Sequence, residues 1–137
     1  METQQETKVP QSFLVHWSQI LFVLFAWLYV ACIIVQVFLA GLGIFVGGAW
    51  WSIHVTTGRW FNPIPIILIV LAFTGRFRRS VVVISIILFV QYELQIAFIE
   101  LANNFKFPLL AAFHPVNAVI MFWLTVVVAR QAQRFIK

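Results

Sequence analysis

Charge is what this sequence has least of: only 9% of its 137 residues are Asp, Glu, Lys or Arg. A soluble domain of this length needs a charged surface, usually about a quarter of its residues. With so few, and with 63% of residues hydrophobic, hydrocarbon rather than water must solvate most of the exterior. Cysteine is almost absent too. The one thiol, Cys32, rules out an intramolecular disulfide, carries no compartment information and reads as a small apolar packing residue. There is no Cys or carboxylate cluster for a structural metal site, and no nucleophile elbow or phosphate-binding loop, which argues against a hydrolase. The alternating polarity of a transmembrane barrel is missing. A cleaved signal peptide is also a poor reading. The N-terminal METQQETKVPQS is polar, and the apolar run behind it is too long for an h-region, so the first span is expected to stay as a signal anchor.

What is present is four apolar runs, at about residues 20–46, 52–74, 80–101 and 107–129. Each is long enough for a membrane-crossing helix, which needs roughly 20 residues. The third is rich in Val and Ile, but a run of that length is far longer than a strand. Gly41, Gly43, Gly47 and Gly48 loosen the end of the first run and start a turn, and Pro63 and Pro65 predict a kink in the second. Short connections make consecutive helices antiparallel neighbours. The expected fold class is all-α: one domain over residues 1–137, an integral membrane four-helix up-down-up-down bundle with the lipid bilayer as its main partner. Fifteen Phe and six Trp suit lipid contact, interface anchoring or packing around a flat cofactor.

The net charge of +5 does not point to nucleic acid, because the cations lie beside the apolar runs, where they mark topology. Arg76, Arg78 and Arg79 crowd the second connection, and Arg130, Arg134 and Lys137 crowd the tail. The first connection has no Lys or Arg, and the third has Lys106 with Glu100 nearby. The positive-inside rule then predicts both ends in the cytoplasm, N-in and C-in, facing an anionic leaflet.

Ionisable and amide side chains inside a span are costly and therefore informative. At about 1.5 Å per helical residue, Glu93, Gln95, Arg59, His114 and Gln36 all fall between roughly 21 and 27 Å above the basic end. Every helix thus contributes a polar group to one layer in the outer leaflet. Two readings of that layer stand side by side. In one it is structural, with Arg59 pairing Glu93 while Gln36, Gln91, Gln95 and Asn117 hydrogen-bond between helices. In the other it surrounds a ligand that the histidines anchor.

His54 and His114 lie near the outer side on two different spans, and paired imidazoles on neighbouring transmembrane helices are a usual means of holding a b-type haem. On this reading His54 and His114 are the metal ligands of haem b or another tetrapyrrole. Arg59 is placed for a propionate, Asn117 shares a face with His114, and Trp50, Trp51, Trp60 and Phe113 are candidates to wall the slot. Their straight-helix depths differ by about 9 Å, so the pairing requires a kink or an offset. His16, beside Trp17 at the other end, reads as an interfacial residue.

From about Gln36 onward the chain resembles an uncharacterised family of small bacterial four-helix membrane proteins. The resemblance rests on VQVFLAGLGIF (35–45), HVTTGRW (54–60), VQYELQIAF (90–98) and HPVNAVIMF (114–122), with the HPVNA stretch the most specific part. It implies the four-helix fold in a bacterial inner membrane and makes His54, His114 and Asn117 shared motif positions, but implies no activity. Three functions follow as expectations. The first is a small electron-transfer subunit holding a tetrapyrrole, without catalytic activity of its own. The second is an accessory subunit of a larger respiratory or photosynthetic membrane complex. The last is a small transporter with Arg59, Glu93 and Glu100 along a polar path.

Overall fold

Ser12 starts the first helix: its Oγ accepts from the Val15 N–H at 3.4 Å, satisfying one of the donors that a helix N-terminus leaves open. The computed structural model describes residues 12–136. Within them run α1 (Phe13–Phe45), α2 (Ala49–Trp60), α3 (Pro63–Thr74), α4 (Arg79–Asn104), a 3₁₀ turn (Pro108–Ala112) and α5 (Phe113–Phe135). Helix α1 begins at Phe13 rather than at the start of the apolar run near residue 20. Its 33 residues extend about 50 Å, more than the roughly 30 Å of hydrocarbon. The excess carries Phe13, His16 and Trp17, all exposed, and Trp17 is an amphipathic ring suited to a membrane interface.

The second span is two helices, because Pro63 and Pro65 lack the N–H groups that would bond the Arg59 and Phe61 carbonyls. Shorter bonds take over. Asn62 N–H donates to the Arg59 carbonyl at 3.2 Å, and Ile64 N–H to that of Phe61 at 3.0 Å. The chain therefore bends between α2 and α3 without leaving these carbonyls unpaired at membrane depth. Helices α3 and α4 both end on a cation in the left-handed conformation, Arg76 and Lys106, each with φ 51°. Phe77 N–H reaches back to the Ala72 carbonyl at 3.1 Å, and Phe107 N–H to that of Ala102 at 3.0 Å, closing both helix ends in the manner of a Schellman motif.

The helices pack in chain order around a closed ring. Helix α1 lies against α2, α3 and α5, and α4 lies against α3 and α5. Phe22, Ala26, Tyr29, Leu68, Ala72, Leu88, Val128 and Ala129 fill the centre. The alanines let helix backbones approach closely, which matters where lipid offers no hydrophobic drive for association. Phe38, Phe73, Val119 and Trp123 face outward. Taken as spans, α1, α2 with α3, α4, and the 3₁₀ turn with α5 are each long and apolar enough to cross a bilayer, giving four among the described residues. The protein is a multi-pass, all-α membrane bundle. Its buried polar side chains are satisfied locally or across helices: Ser85 donates to Val81 O at 2.9 Å, Thr125 to Met121 O at 2.6 Å, and Gln19 to Gly75 O at 2.9 Å.

Candidate histidine site

Opposite the arginine-rich end, α2 is laid against α1 by small residues and amides. Gly43 of α1 leaves room for the Trp51 indole, whose Cε2 lies 2.8 Å from where a Cβ would stand. Gly58 of α2 admits the Gln36 amide in the same way, at 3.1 Å. That amide lies 2.7 Å from the Thr57 hydroxyl. Turned so that both its ends are satisfied, it donates to the His54 carbonyl at 2.9 Å and accepts from the Gly58 N–H at 3.2 Å. The Gly58 carbonyl accepts from Tyr92 OH of α4 at 3.2 Å, so three spans meet at this glycine.

His54 is fixed in this frame. Its Nδ1 lies 3.1 Å from the Gln36 carbonyl, and the Trp51 ring stands edge-on to the imidazole at 5.7 Å. His114, in the first turn of α5, is held the same way by α4, with Nδ1 2.8 Å from the Gln95 carbonyl. A carbonyl only accepts, so Nδ1 of His114 donates to Gln95 O, whereas Nδ1 of His54 lies 3.1 Å both from the Gln36 carbonyl and from the NH₂ of the turned Gln36 amide. The two imidazoles meet at a centroid distance of 6.2 Å with planes at 68°. The separation in depth computed along straight helices does not keep the rings apart. The bend at Phe61–Asn62 redirects α2, and a 3₁₀ turn rather than α-helix precedes His114.

Asn117, one turn below His114, is buried and ties α5 to α4. Its Nδ2 donates to Gln91 O at 2.8 Å and to Gln95 Oε1 at 2.6 Å. The side chains of Gln36, Gln95 and Asn117 thus bond between helices, as the structural reading of the polar layer expects, while Gln91 takes part through its main-chain carbonyl. Deeper, Tyr29 OH donates to Met121 Sδ at 3.3 Å.

Arg59 and Glu93 behave differently. They are both exposed, and no ion pair joins them. The Gly58 main-chain carbonyl takes the Tyr92 hydroxyl, while the Cβ position of Gly58 faces the Gln36 amide of α1. Arg59 and Glu93, the next residues along α2 and α4, stand exposed. Of the aromatic residues considered for a slot, Trp51 flanks His54 and Phe113 stacks near Phe98 at 5.7 Å, while Trp60 is 78% exposed. His16 pairs edge-on with Trp17 at 6.3 Å, away from this site.

Sequence reasoning missed the contacts of Gly43, Thr57, Gly58 and Tyr92. Gly58 carried a usable signal: a glycine inside a helix costs stability, so close approach by a neighbour is a reason to keep it. Among the described residues no three His, Cys, Asp or Glu side chains come together as a metal-binding group.

Residues 36–102 match the model of a family described as a family of unknown function, DUF6220. The matched segment takes in Gln36, His54, Arg59, Gln91 and Gln95, and ends before the HPVNA stretch with His114 and Asn117. No curated protein and no solved structure matches the chain.

Proposed function

We propose that the two imidazoles form the axial-ligand site of a haem b or related tetrapyrrole, and that the chain serves as a small electron-transfer subunit. We further propose that it lies in a bacterial inner membrane with both ends in the cytoplasm. The observation that carries the cofactor reading is the convergence of His54 and His114, each with Nδ1 within hydrogen-bond distance of a main-chain carbonyl on the neighbouring helix. Metal-bound histidines are oriented by such a bond, which fixes the tautomer and frees Nε2 for the metal. The two ring centres lie 6.2 Å apart, on helices that belong to different spans. Two histidines with no third His, Cys, Asp or Glu beside them among the described residues would suit a macrocycle that supplies its own nitrogen donors better than a tetrahedral zinc site.

His54 and His114 would hold the group, and Arg59 is the cation on α2 available to a propionate. Asn117 and Gln95 keep α5 in register so that His114 stays in place. Once bound, the macrocycle would supply a one-electron redox couple. The test is an optical spectrum of protein expressed with haem supply. A Soret band, a dithionite-reduced α-band, and their loss in His54→Ala and His114→Ala are expected. Absence of both bands from the folded wild-type protein would sink the cofactor reading. Fusion of compartment-specific reporters to each terminus tests the orientation.

A second reading is an accessory subunit of a larger respiratory or photosynthetic membrane complex, and the exposed Arg59 and Glu93 favour it. An unpaired charge within the hydrocarbon costs free energy, up to about 2.5–3.5 kcal/mol at the centre of a span and less towards the interface. A neighbouring subunit with complementary groups would relieve that cost. Co-purification in mild detergent decides: elution alone, at one size over all concentrations, argues against it.

A further inference from the structure

The arginine-rich end holds a cavity of 350 Å³ between the start of α4 and the last turns of α5, lined by Arg78, Ser80, Val81, Gln131, Arg134 and Phe135. These segments meet because α4 and α5 are antiparallel neighbours. We propose that this cavity binds the phosphodiester headgroup of an anionic phospholipid.

Four observations carry the assignment. First, two guanidiniums, Arg78 at the N-cap of α4 and Arg134 on α5, line one space whose other lining residues bring no carboxylate. Arg76, Arg79 and Arg130 lie at the same end of the bundle. The carboxylates of the described residues, Glu93 and Glu100, belong to the other half of α4, with Glu93 about 20 Å along the helix from Ser80. Mutual repulsion of the cations is relieved by an anion, and phosphate accepts the planar guanidinium in two-point contact.

Second, the polar groups suit phosphate oxygens. Ser80 Oγ donates to Gln131 Oε1 at 3.5 Å, which leaves the Gln131 amide NH₂ at hand as a donor beside the two guanidiniums. Third, the site is built but open. Val81 is a buried floor, Phe135 forms a wall with Arg78 Cζ 6.0 Å from its ring centre, and Arg78, Ser80, Gln131 and Arg134 are exposed.

Fourth, the apolar path beside it selects a lipid over a free anion. Ser80, Val83 and Ile87 lie on one face of α4 at i, i+3 and i+7, and Val83 and Ile87 are exposed along the span. An acyl chain can follow this face while its headgroup occupies the cavity. Basic pockets between transmembrane helices at a membrane face have the chemistry for such headgroups.

The test is native mass spectrometry of the purified full chain titrated with phosphatidylglycerol, phosphatidylcholine or inorganic phosphate. Phosphatidylglycerol should be retained in preference to phosphatidylcholine, and millimolar inorganic phosphate should not displace it. Arg78→Gln with Arg134→Gln should weaken retention about 25-fold, taking roughly fivefold per cation. Ser80→Trp, which fills the cavity and keeps both charges, should also weaken it. Arg76→Gln with Arg130→Gln removes two cations outside the cavity and should leave most of the retention.

Undiminished phosphatidylglycerol binding in the Arg78/Arg134 variant overturns the proposal. So does an equal loss in the Arg76/Arg130 variant, which would mean diffuse attraction to charge. Full displacement by inorganic phosphate overturns the lipid assignment and leaves a simple anion site.

Discussion

Asn117 is where packing and the candidate site are joined, and its two hydrogen bonds can be separated by experiment. One N–H of its amide goes to the Gln91 main-chain carbonyl at 2.8 Å and the other to Gln95 Oε1 at 2.6 Å. Gln95→Leu removes only the second bond and spares the Gln95 carbonyl that holds His114. Asn117→Leu removes both. Interhelical side-chain hydrogen bonds in membrane proteins average about 0.6 kcal/mol and reach about 1.7. The geometry therefore predicts a loss of at least about 0.6 kcal/mol for Gln95→Leu and about twice that for Asn117→Leu. The double variant should be no worse than Asn117→Leu, because the shared bond is already gone. The expected coupling energy is thus at least about 0.6 kcal/mol. Reversible unfolding of wild type, both single variants and the double variant in mixed micelles measures all four corners. A coupling energy below about 0.3 kcal/mol, the usual limit of additivity for independent sites, would refute the direct bond and the role of Asn117 in aligning α5 on α4.

Three other outcomes follow from the packing. Gly43→Ala places a methyl 2.8 Å from Trp51 Cε2, so overpacking of about 1–3 kcal/mol should displace the indole, lowering thermal stability and shifting Trp fluorescence. Arg76→Gly relieves a left-handed residue (φ 51°) and should stabilise the fold by up to about 1 kcal/mol, whereas Arg76→Lys keeps the strain and should change little in the same unfolding assay. Leu68→Ala, at 0% exposure, should cost about 2–5 kcal/mol, while Val70→Ala, at 54% exposure, should stay within about 0.5 kcal/mol; equal losses in thermal melts would contradict the packing of α3.

The membrane fold was legible because it rests on composition. A chain with so few charges can solvate itself only in hydrocarbon, and there the backbone must bond within each segment, so the long apolar runs had to be helices. The break in the second span was readable in Pro63 and Pro65 for the same local reason. The polar layer was readable as positions along each helix, since rise per residue is fixed. Rotation about the helix axes was not. Arg59 and Glu93 share a depth, yet their exposure and lack of an ion pair depend on how α2 and α4 are turned, with α2 laid on α1 through Gly58 and Gln36. The depth of His54 counted along a straight helix was misleading, since a bend moves everything beyond it.

By itself, then, the sequence determined solvent, secondary structure, number of spans and the clustering of cations at one end, all properties of single segments. The tertiary structure decided which groups meet. It brought His54 to His114 with each Nδ1 within hydrogen-bond distance of a main-chain carbonyl, seated Trp51 on Gly43, and opened a cavity between Arg78 and Arg134. The reason is physical: local energetics fix a helix and its length, but its azimuth is set only when side chains from several helices must fill one interior together.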